Sequence, residues 1–195
     1  MDTIELRYKL LRLDDDEFYE FCRENDQLKI ERDSEGTIYI MSNAGGATGM
    51  LNSIINYWLM HWHLSTTLGF VFDSSTAFRL PNTSVRSPDV AWVSAERWGR
   101  LTKAEKIKFP PVCPDFVVEL LSADDDLKTI QKKMQTEWIG NGCKLAWLID
   151  PFEEMVFIYR ADADVEIFNS FNQQLSGENV LPGFQFDLSK LKISY

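Results

Sequence analysis

Glu119 is the residue whose position in this sequence most needs a chemical explanation. It lies within the segment FVVELL (116–121), between apolar side chains. A lone buried carboxylate is costly unless it is paired with a cation, protonated or bound to a metal. A salt bridge to a neighbouring element, or a strand end that reaches solvent, would be a structural explanation. A metal ligand would be the chemical one.

Asp89 is a second carboxylate that could reach the same point, because it follows Ser87 and Pro88 at the start of another predicted strand. If the two strands pair, Asp89, Glu119 and the backbone carbonyl of Leu120 form a hard-oxygen site that suits Mg²⁺, with Mn²⁺ as a substitute. Such a metal acidifies a bound water, which can then attack a phosphodiester. Alternatively, Asp89 only completes a Pro-Asp turn.

A cation or polar group is also needed to orient the water and to offset developing negative charge. Leu121, two residues after Glu119, cannot serve. The following predicted helix has an apolar face, and its periodicity places Gln131 beside that face and Lys133 at its edge. We therefore predict that Lys133 or Gln131 reaches the strand ends, whereas Lys128 and Lys132 face solvent.

The elements that must position these residues alternate between strands and helices. The pattern predicts a helix at 14–24, a helix at 50–64, one or two short helices within 94–108, and a helix from about 123 to 139. Predicted strands cover 27–31, 37–41, 69–73, 76–80, 89–93, 115–121, 145–150, 155–160 and 165–169. A crossover helix between two apolar strands predicts an α/β (or α+β) fold with a mixed sheet flanked by helices.

Composition restricts the class of protein further. The chain has 195 residues, a hydrophobic fraction of 45% and a net charge of −10. The acidic balance argues against strong nonspecific nucleic-acid binding, and the arginines predicted near the mouth of the site are Arg79, Arg86, Arg97 and Arg100. Three scattered cysteines, a charged N-terminus and the lack of a long apolar run predict a cytoplasmic protein without a membrane span.

Several ordered motifs resemble the Uma-two family, a branch of the PD-(D/E)XK nuclease superfamily related to restriction endonucleases. The motifs are SPDVAWV (87–93), CPDFVVELLSADDDLKTIQKKM (113–134) and GCKLAWLIDP (142–151). The similarity continues through LKIERDSEGTIYIMSNAGGATG (28–49), VFDSSTAFRLPN (71–82) and LPGFQFDL (181–188). It therefore covers nearly all of residues 27–190.

The resemblance implies a restriction-endonuclease-like core and a magnesium site on Asp89 and Glu119. It also implies that the basic residue has moved from the strand to the next helix, where Lys133 matches it, and that Glu31 is an auxiliary acid. Ala47 departs from the pattern, because relatives are expected to carry Glu or another polar residue there. We predict one domain over residues 1–195, with an N-terminal helical extension (1–26) and a core at about 27–190.

Three hypotheses about function follow. The first is a magnesium-dependent endonuclease that cleaves DNA to a 3′-hydroxyl and a 5′-phosphate and uses no organic cofactor. Under this hypothesis a homodimer could join two basic patches. The second is a binding module of nuclease ancestry that has lost hydrolysis, which Ala47 and the net charge favour. The third is an acidic protein that mimics nucleic acid and binds a basic target; Asp89→Ala would leave that binding unchanged.

Overall fold

The structure of the protein is a computed structural model that describes residues 3–6 and 13–192. In chain order the strands are β1 (Thr3–Leu6), β2 (Lys29–Arg32), β3 (Ile38–Met41), β4 (Gly69–Asp73), β5 (Phe78–Arg79), β6 (Val85–Arg86), β7 (Val90–Ser94), β8 (Phe116–Leu120), β9 (Leu145–Asp150), β10 (Met155–Arg160), β11 (Glu166–Phe168), β12 (Gln174–Ser176) and β13 (Gln185–Asp187). The helices are α1 (Asp15–Glu24), α2 (Gly46–Thr66), α3 (Ala95–Gly99), α4 (Lys103–Ile107) and α5 (Leu127–Lys133). Helix α5 continues into a π-helical turn (Met134–Trp138) and a 3-10 turn (Ile139–Asn141), and Leu188–Leu191 form a further 3-10 turn.

A mixed central sheet has the order β11-β10-β9-β8-β7-β4. Strands β8 and β9 run parallel and are joined by the α5 crossover, whereas β7 pairs with β8 antiparallel. A second sheet, in the order β1-β3-β2-β6-β5, is antiparallel, and β12 pairs with β13 as a separate hairpin. This confirms the predicted mixed sheet flanked by helices.

The central sheet is covered on both faces. Helix α2 packs on one face through Leu51, Ile55 and Leu59, and Met134 and Trp138 pack on the other. Every residue of β8 and β9 is buried, which explains why both strands are almost continuously apolar. Glu119 is the charged exception in β8, so the fold places it where a carboxylate needs a partner.

The observed elements include β12 and β13, which were not predicted, and they differ from the predicted ones elsewhere as well. Residues 1–26, predicted as a helical extension, contain α1 but also β1, which pairs with β3. Strand β6 lies within a predicted loop, and α2 begins four residues early because Gly45 adopts the extended backbone of an N-cap. Helix α5 begins late because Asp126 supplies the cap to Thr129 N.

None of the helices within residues 3–6 and 13–192 is long and apolar enough to cross a membrane.

Asp115, at the other end of β8, anchors the strand. Its carboxylate accepts a hydrogen bond from Ser94 N at 2.8 Å and forms ion pairs with Lys144 at 2.9 Å and Arg97 at 3.3 Å. Burial raises the pKa of Asp115, but the hydrogen bonds from Lys144 and Ser94 and the charge of Arg97 outweigh it and lower the pKa overall. The ionised carboxylate therefore stabilises the fold.

We predict that Asp115→Asn lowers the free energy of unfolding by about 1–3 kcal/mol at pH 7, as for lost hydrogen bonds to a charged group. Because the folded pKa is depressed, this stabilisation is present above the unfolded pKa of about 3.9 and is lost as pH falls through the folded pKa. Urea unfolding at pH 7 and pH 3 measures it, with the exposed Asp164→Asn as control. A difference between Asp115→Asn and wild type that does not shrink between pH 7 and pH 3 would contradict the prediction.

Candidate active site

A cavity of about 600 Å³ opens between β2 and the adjoining ends of β7 and β8. Asp89, Glu119, Leu120, Lys133 and Glu31 all line it. Helix α2 adds Thr48 and Asn52 from its first two turns. The structure therefore brings the predicted carboxylates, the carbonyl-bearing residue and the lysine to one place.

Asp89 is held against the end of β8. Its Oδ1 accepts a hydrogen bond from Asn52 Nδ2 at 3.0 Å, and its Oδ2 accepts one from Leu120 N at 2.7 Å. The pairing of Val90 with Val118 puts Asp89 beside Glu119, as the sequence predicted for paired strands. The hydrogen bond to Leu120 N also shows that Asp89 does more than complete a turn.

Pro88 leaves the carbonyl of Leu120 without one potential donor. Extending the register of β7 and β8 by two residues places Leu120 across from Pro88. Proline has no N–H, so it cannot donate the ladder hydrogen bond that an antiparallel neighbour would normally give. The carbonyl oxygen of Leu120 can therefore accept a contact from a ligand. Asp89 lies close by, because its Oδ2 accepts a hydrogen bond from the N–H of Leu120.

Glu119 is buried and has two donors on one oxygen. Lys133 Nζ lies 2.9 Å from its Oε1, and Trp138 Nε1 donates to the same atom at 2.8 Å. Burial raises the pKa of Glu119; Lys133 opposes this, while Asp89 and Glu31 add to the rise, and the net shift is upward. Because both contacts reach Oε1, Oε2 is the oxygen that a cation would take.

Lys133 is the cation between two buried carboxylates. Besides Glu119, it lies 3.7 Å from Oε1 of Glu31. Burial lowers the pKa of Lys133, but Glu119 and Glu31 outweigh it and raise the pKa overall. The side chain therefore stays an ammonium at neutral pH and acts as a donor and a positive charge.

Glu31 is tied to the protein on both oxygens. Ser87 N donates to its Oε1 at 2.9 Å and Arg86 Nη1 to its Oε2 at 3.2 Å. Burial raises the pKa of Glu31, but Lys133, Arg86 and Lys29 outweigh it and lower the pKa. Glu31 is thus ionised and holds Lys133 in position.

Arg86 links Glu31 to Glu137 in the π-helical turn, and these ion pairs form the Arg86 network. Its Nη2 lies 3.3 Å from Oε1 of Glu137, whose Oε2 accepts a hydrogen bond from Ser84 Oγ at 2.6 Å. In a regular α-helix Trp138 would lie about 140° around the axis from Lys133. The π turn has more residues per turn, which reduces this angle, so both side chains reach Glu119.

Asn52, Arg86, Glu137 and Trp138 are site residues that the sequence analysis did not identify as such. Trp138 had no predicted role at the site, and Arg86 was predicted only as one of the arginines near its mouth. The burial of Arg86 depends on Glu31 and Glu137, which come from distant parts of the chain. The π turn has no signal in the hydrophobic periodicity that we used.

Gln131 does not join the other predicted site residues. It is half-buried on α5 and is not among the described residues that line the cavity. Lys128 and Lys132 are exposed, as predicted. Ala47 also lies outside the cavity lining, where Thr48 and Asn52 represent α2.

The predicted arginine cluster at the mouth is wrong. Arg79 pairs with Asp15, Arg97 with Asp115 and Arg100 with Glu96, while Arg86 is buried. Their charges are neutralised in ion pairs, and none of the four lines the cavity.

The donor atoms of the site fit a hard divalent cation. Within residues 3–6 and 13–192, no group of three or more His, Cys, Asp or Glu side chains is arranged to hold a metal. The candidate centre has two carboxylates and a carbonyl, a ligand set typical of Mg²⁺, which keeps several waters. Asn52 Oδ1, beside Asp89, is buried and makes no hydrogen bond to a described residue. A metal-bound water would satisfy it.

A mixed sheet with a parallel β8–β9 pair, carboxylates on β8 and at the start of β7, and a lysine on the crossover helix defines a restriction-endonuclease-like protein. The chain belongs to the Uma2 (Uma-two) family, described as "Putative restriction endonuclease", whose model matches residues 15–189. This confirms the resemblance seen in the sequence motifs.

Among solved structures, the fold is similar to the crystal structure of a "putative nuclease belonging to DUF820" from Anabaena variabilis ATCC 29413. The TM-score is 0.70 and the sequence identity 20%, over 83% of this chain and 88% of that chain. At this identity the match supports the fold. No curated protein matches the chain significantly.

Proposed function

We propose that the protein is a metal-dependent DNA endonuclease that hydrolyses phosphodiester bonds. The observation that carries the proposal is the convergence of Asp89 and Glu119 from paired strands, with Lys133 at 2.9 Å from Glu119. Membership of the Uma2 family supports a nuclease function. Structural ion pairing alone would not require Asp89 at this position, since Lys133 already neutralises Glu119.

Asp89, Glu119 and the carbonyl of Leu120 would hold Mg²⁺, for which Mn²⁺ would substitute. The metal would supply an acidified water and stabilise negative charge on the phosphate. Asn52 and the N–H of Leu120 orient Asp89, and Trp138 fixes the rotamer of Glu119. These contacts pre-position the ligand oxygens, which reduces the cost of assembling the site.

Lys133 would orient the attacking water and offset charge on the phosphate, as the sequence predicted. Since its pKa is raised, it would act as a donor and not as a general base. Glu31 would act by keeping Lys133 charged and in place. The products would be a 3′-hydroxyl and a 5′-phosphate. A homodimer, a single domain and a cytoplasmic location stay predictions from the sequence.

The proposal is tested by incubating supercoiled plasmid and short DNA with the protein in Mg²⁺, in Mn²⁺ and in EDTA. Metal-dependent nicking or cleavage would support it. Calorimetric binding of Mn²⁺ without cleavage would favour an inactive module that retains the fold. The absence of Mn²⁺ binding by the wild-type protein would contradict the metal mechanism. That module is the second candidate because acidic side chains predominate in the cavity.

Trp138→Phe removes the indole N–H but keeps an aromatic ring in the core. We expect the dissociation constant for Mn²⁺ to rise about 10-fold, as for other groups that orient metal ligands. Calorimetric titration measures it, with Trp98→Phe as control, since Trp98 packs against Phe72 outside the cavity. An unchanged constant in Trp138→Phe would show that the hydrogen bond to Glu119 does not position the ligand.

A further inference from the structure

Part of the cavity lining is apolar and has no role in the proposed hydrolysis. Cys22, Leu28, Ile30, Ala77 and Phe109 form this apolar wall. Alternation along β2 puts Ile30 on the face that packs with α1, while Glu31 faces Lys133. Although Ile30 and Glu31 face opposite sides of β2, both belong to the lining of the one cavity. Leu28 is 41% exposed, so part of the wall is open to a ligand.

The cavity has few cationic side chains with which to bind the phosphates of a DNA duplex. Lys29 and Lys133 are the cationic side chains among its described lining residues, and Lys133 is already paired with Glu119 and Glu31. The acidic lining residues are Asp26, Glu31, Asp89, Glu119 and Asp125. Duplex DNA carries a negative charge per roughly 1.7 Å and is held mainly by cations on its phosphates.

We propose that the apolar wall binds an unstacked nucleobase and that the substrate is single-stranded DNA; this rests on the proposed nuclease function. A single strand exposes base faces, and proteins hold such strands by contacts to bases as well as to phosphates. The cavity volume of about 600 Å³ is in the range of pockets that enclose a small ligand, roughly 300–1,000 Å³. The base supplies apolar contact while the phosphate next to it faces Asp89, Glu119 and Lys133.

The test measures binding of a fluorescein-labelled 12-nucleotide strand, the same sequence as a duplex, and a strand of equal length with abasic sites. Fluorescence anisotropy is read in Ca²⁺, which limits cleavage, at 50 and 200 mM NaCl. We expect the single strand to bind at least about 10-fold more tightly than the other two probes. With about two phosphate contacts, the fourfold rise in salt weakens single-strand binding roughly 7-fold.

Leu28→Asn tests the wall without adding charge, and its exposure makes the substitution tolerable to the fold. We expect it to weaken single-strand binding about 5- to 10-fold and to leave duplex and abasic binding unchanged. Leu64→Asn is the matched control, because Leu64 is 72% exposed on α2 and lies outside the cavity lining.

Duplex binding as tight as single-strand binding, equal binding of the abasic strand, or no effect of Leu28→Asn would each overturn the base site. Cleavage in Mg²⁺ separates this inference from the nuclease proposal. Leu28-dependent binding of the single strand without cleavage of any DNA would support the base site and contradict the nuclease. Cleavage of duplex DNA that does not depend on Leu28 would support the nuclease proposal and contradict the base site.

Discussion

Asp89→Asn is expected to abolish detectable Mn²⁺ binding and to reduce DNA cleavage on the order of 100-fold or more, because it removes a charged ligand. Asn keeps the size of the side chain and an oxygen that can accept from Leu120 N or Asn52. The protein should therefore fold normally, and its melting temperature should change little. Calorimetric titration of Mn²⁺, with plasmid nicking on the same preparations, measures both effects.

Asp164→Asn is the matched control for Asp89→Asn, since Asp164 is exposed and lies outside the cavity lining. It should bind Mn²⁺ and cleave DNA as wild type does. Retained cleavage in Asp89→Asn would rule out Asp89 as a metal ligand. Loss of Mn²⁺ binding in both variants would point to a general charge effect and not to a defined site.

Arg86→Met is expected to cost about 3–5 kcal/mol of the free energy of unfolding, because it leaves Glu137 without its cation and removes one of the two cations that contact Glu31. The side chain of Arg86 is 9% exposed, and those of Glu31 and Glu137 are 4% and 12% exposed. Burial lowers the pKa of Arg86, but Glu31 and Glu137 outweigh it and raise the pKa, so the pair is fully charged. Urea unfolding at pH 7 measures the loss.

Two comparison variants sharpen the Arg86 experiment. Arg100→Met breaks the exposed pair with Glu96 and should change stability by no more than about 0.5 kcal/mol. Adding Glu31→Gln to Arg86→Met should recover part of the loss, because it removes the charge of a buried carboxylate that has lost one of its two cations. An equal, small effect of Arg86→Met and Arg100→Met would show that the buried network does not stabilise the fold.

The Arg86 network is also the reason that the candidate site tolerates so many carboxylates. Glu31, Glu119 and Asp89 line one cavity, and the charges of Asp89 and Glu31 raise the pKa of Glu119. Arg86 and Lys133 keep Glu31 ionised, and Glu31 in turn holds Lys133 beside Glu119. Loss of Arg86 should therefore reduce DNA cleavage through Lys133 even in molecules that remain folded.

The sequence by itself predicted the central strands and the residues that meet in the candidate site. Strands β8 and β9 are apolar throughout because they are buried on both faces, so composition identifies them directly. An acid within such a strand, another at the start of the strand next to it, and a lysine at the edge of an apolar helix face are local patterns. Asp89, Glu119 and Lys133 were predicted to converge for that reason, and the structure places them in one cavity.

Only the tertiary structure decided which charges are paired and which side chains surround the site. Ion pairs such as Arg86 with Glu31 join residues far apart in the chain, so periodicity could not separate a buried arginine from a surface one. The π turn brings Trp138 towards Glu119, contrary to an even helical repeat. Local patterns report which face of an element is apolar, whereas partners and pKa shifts arise from distances between elements.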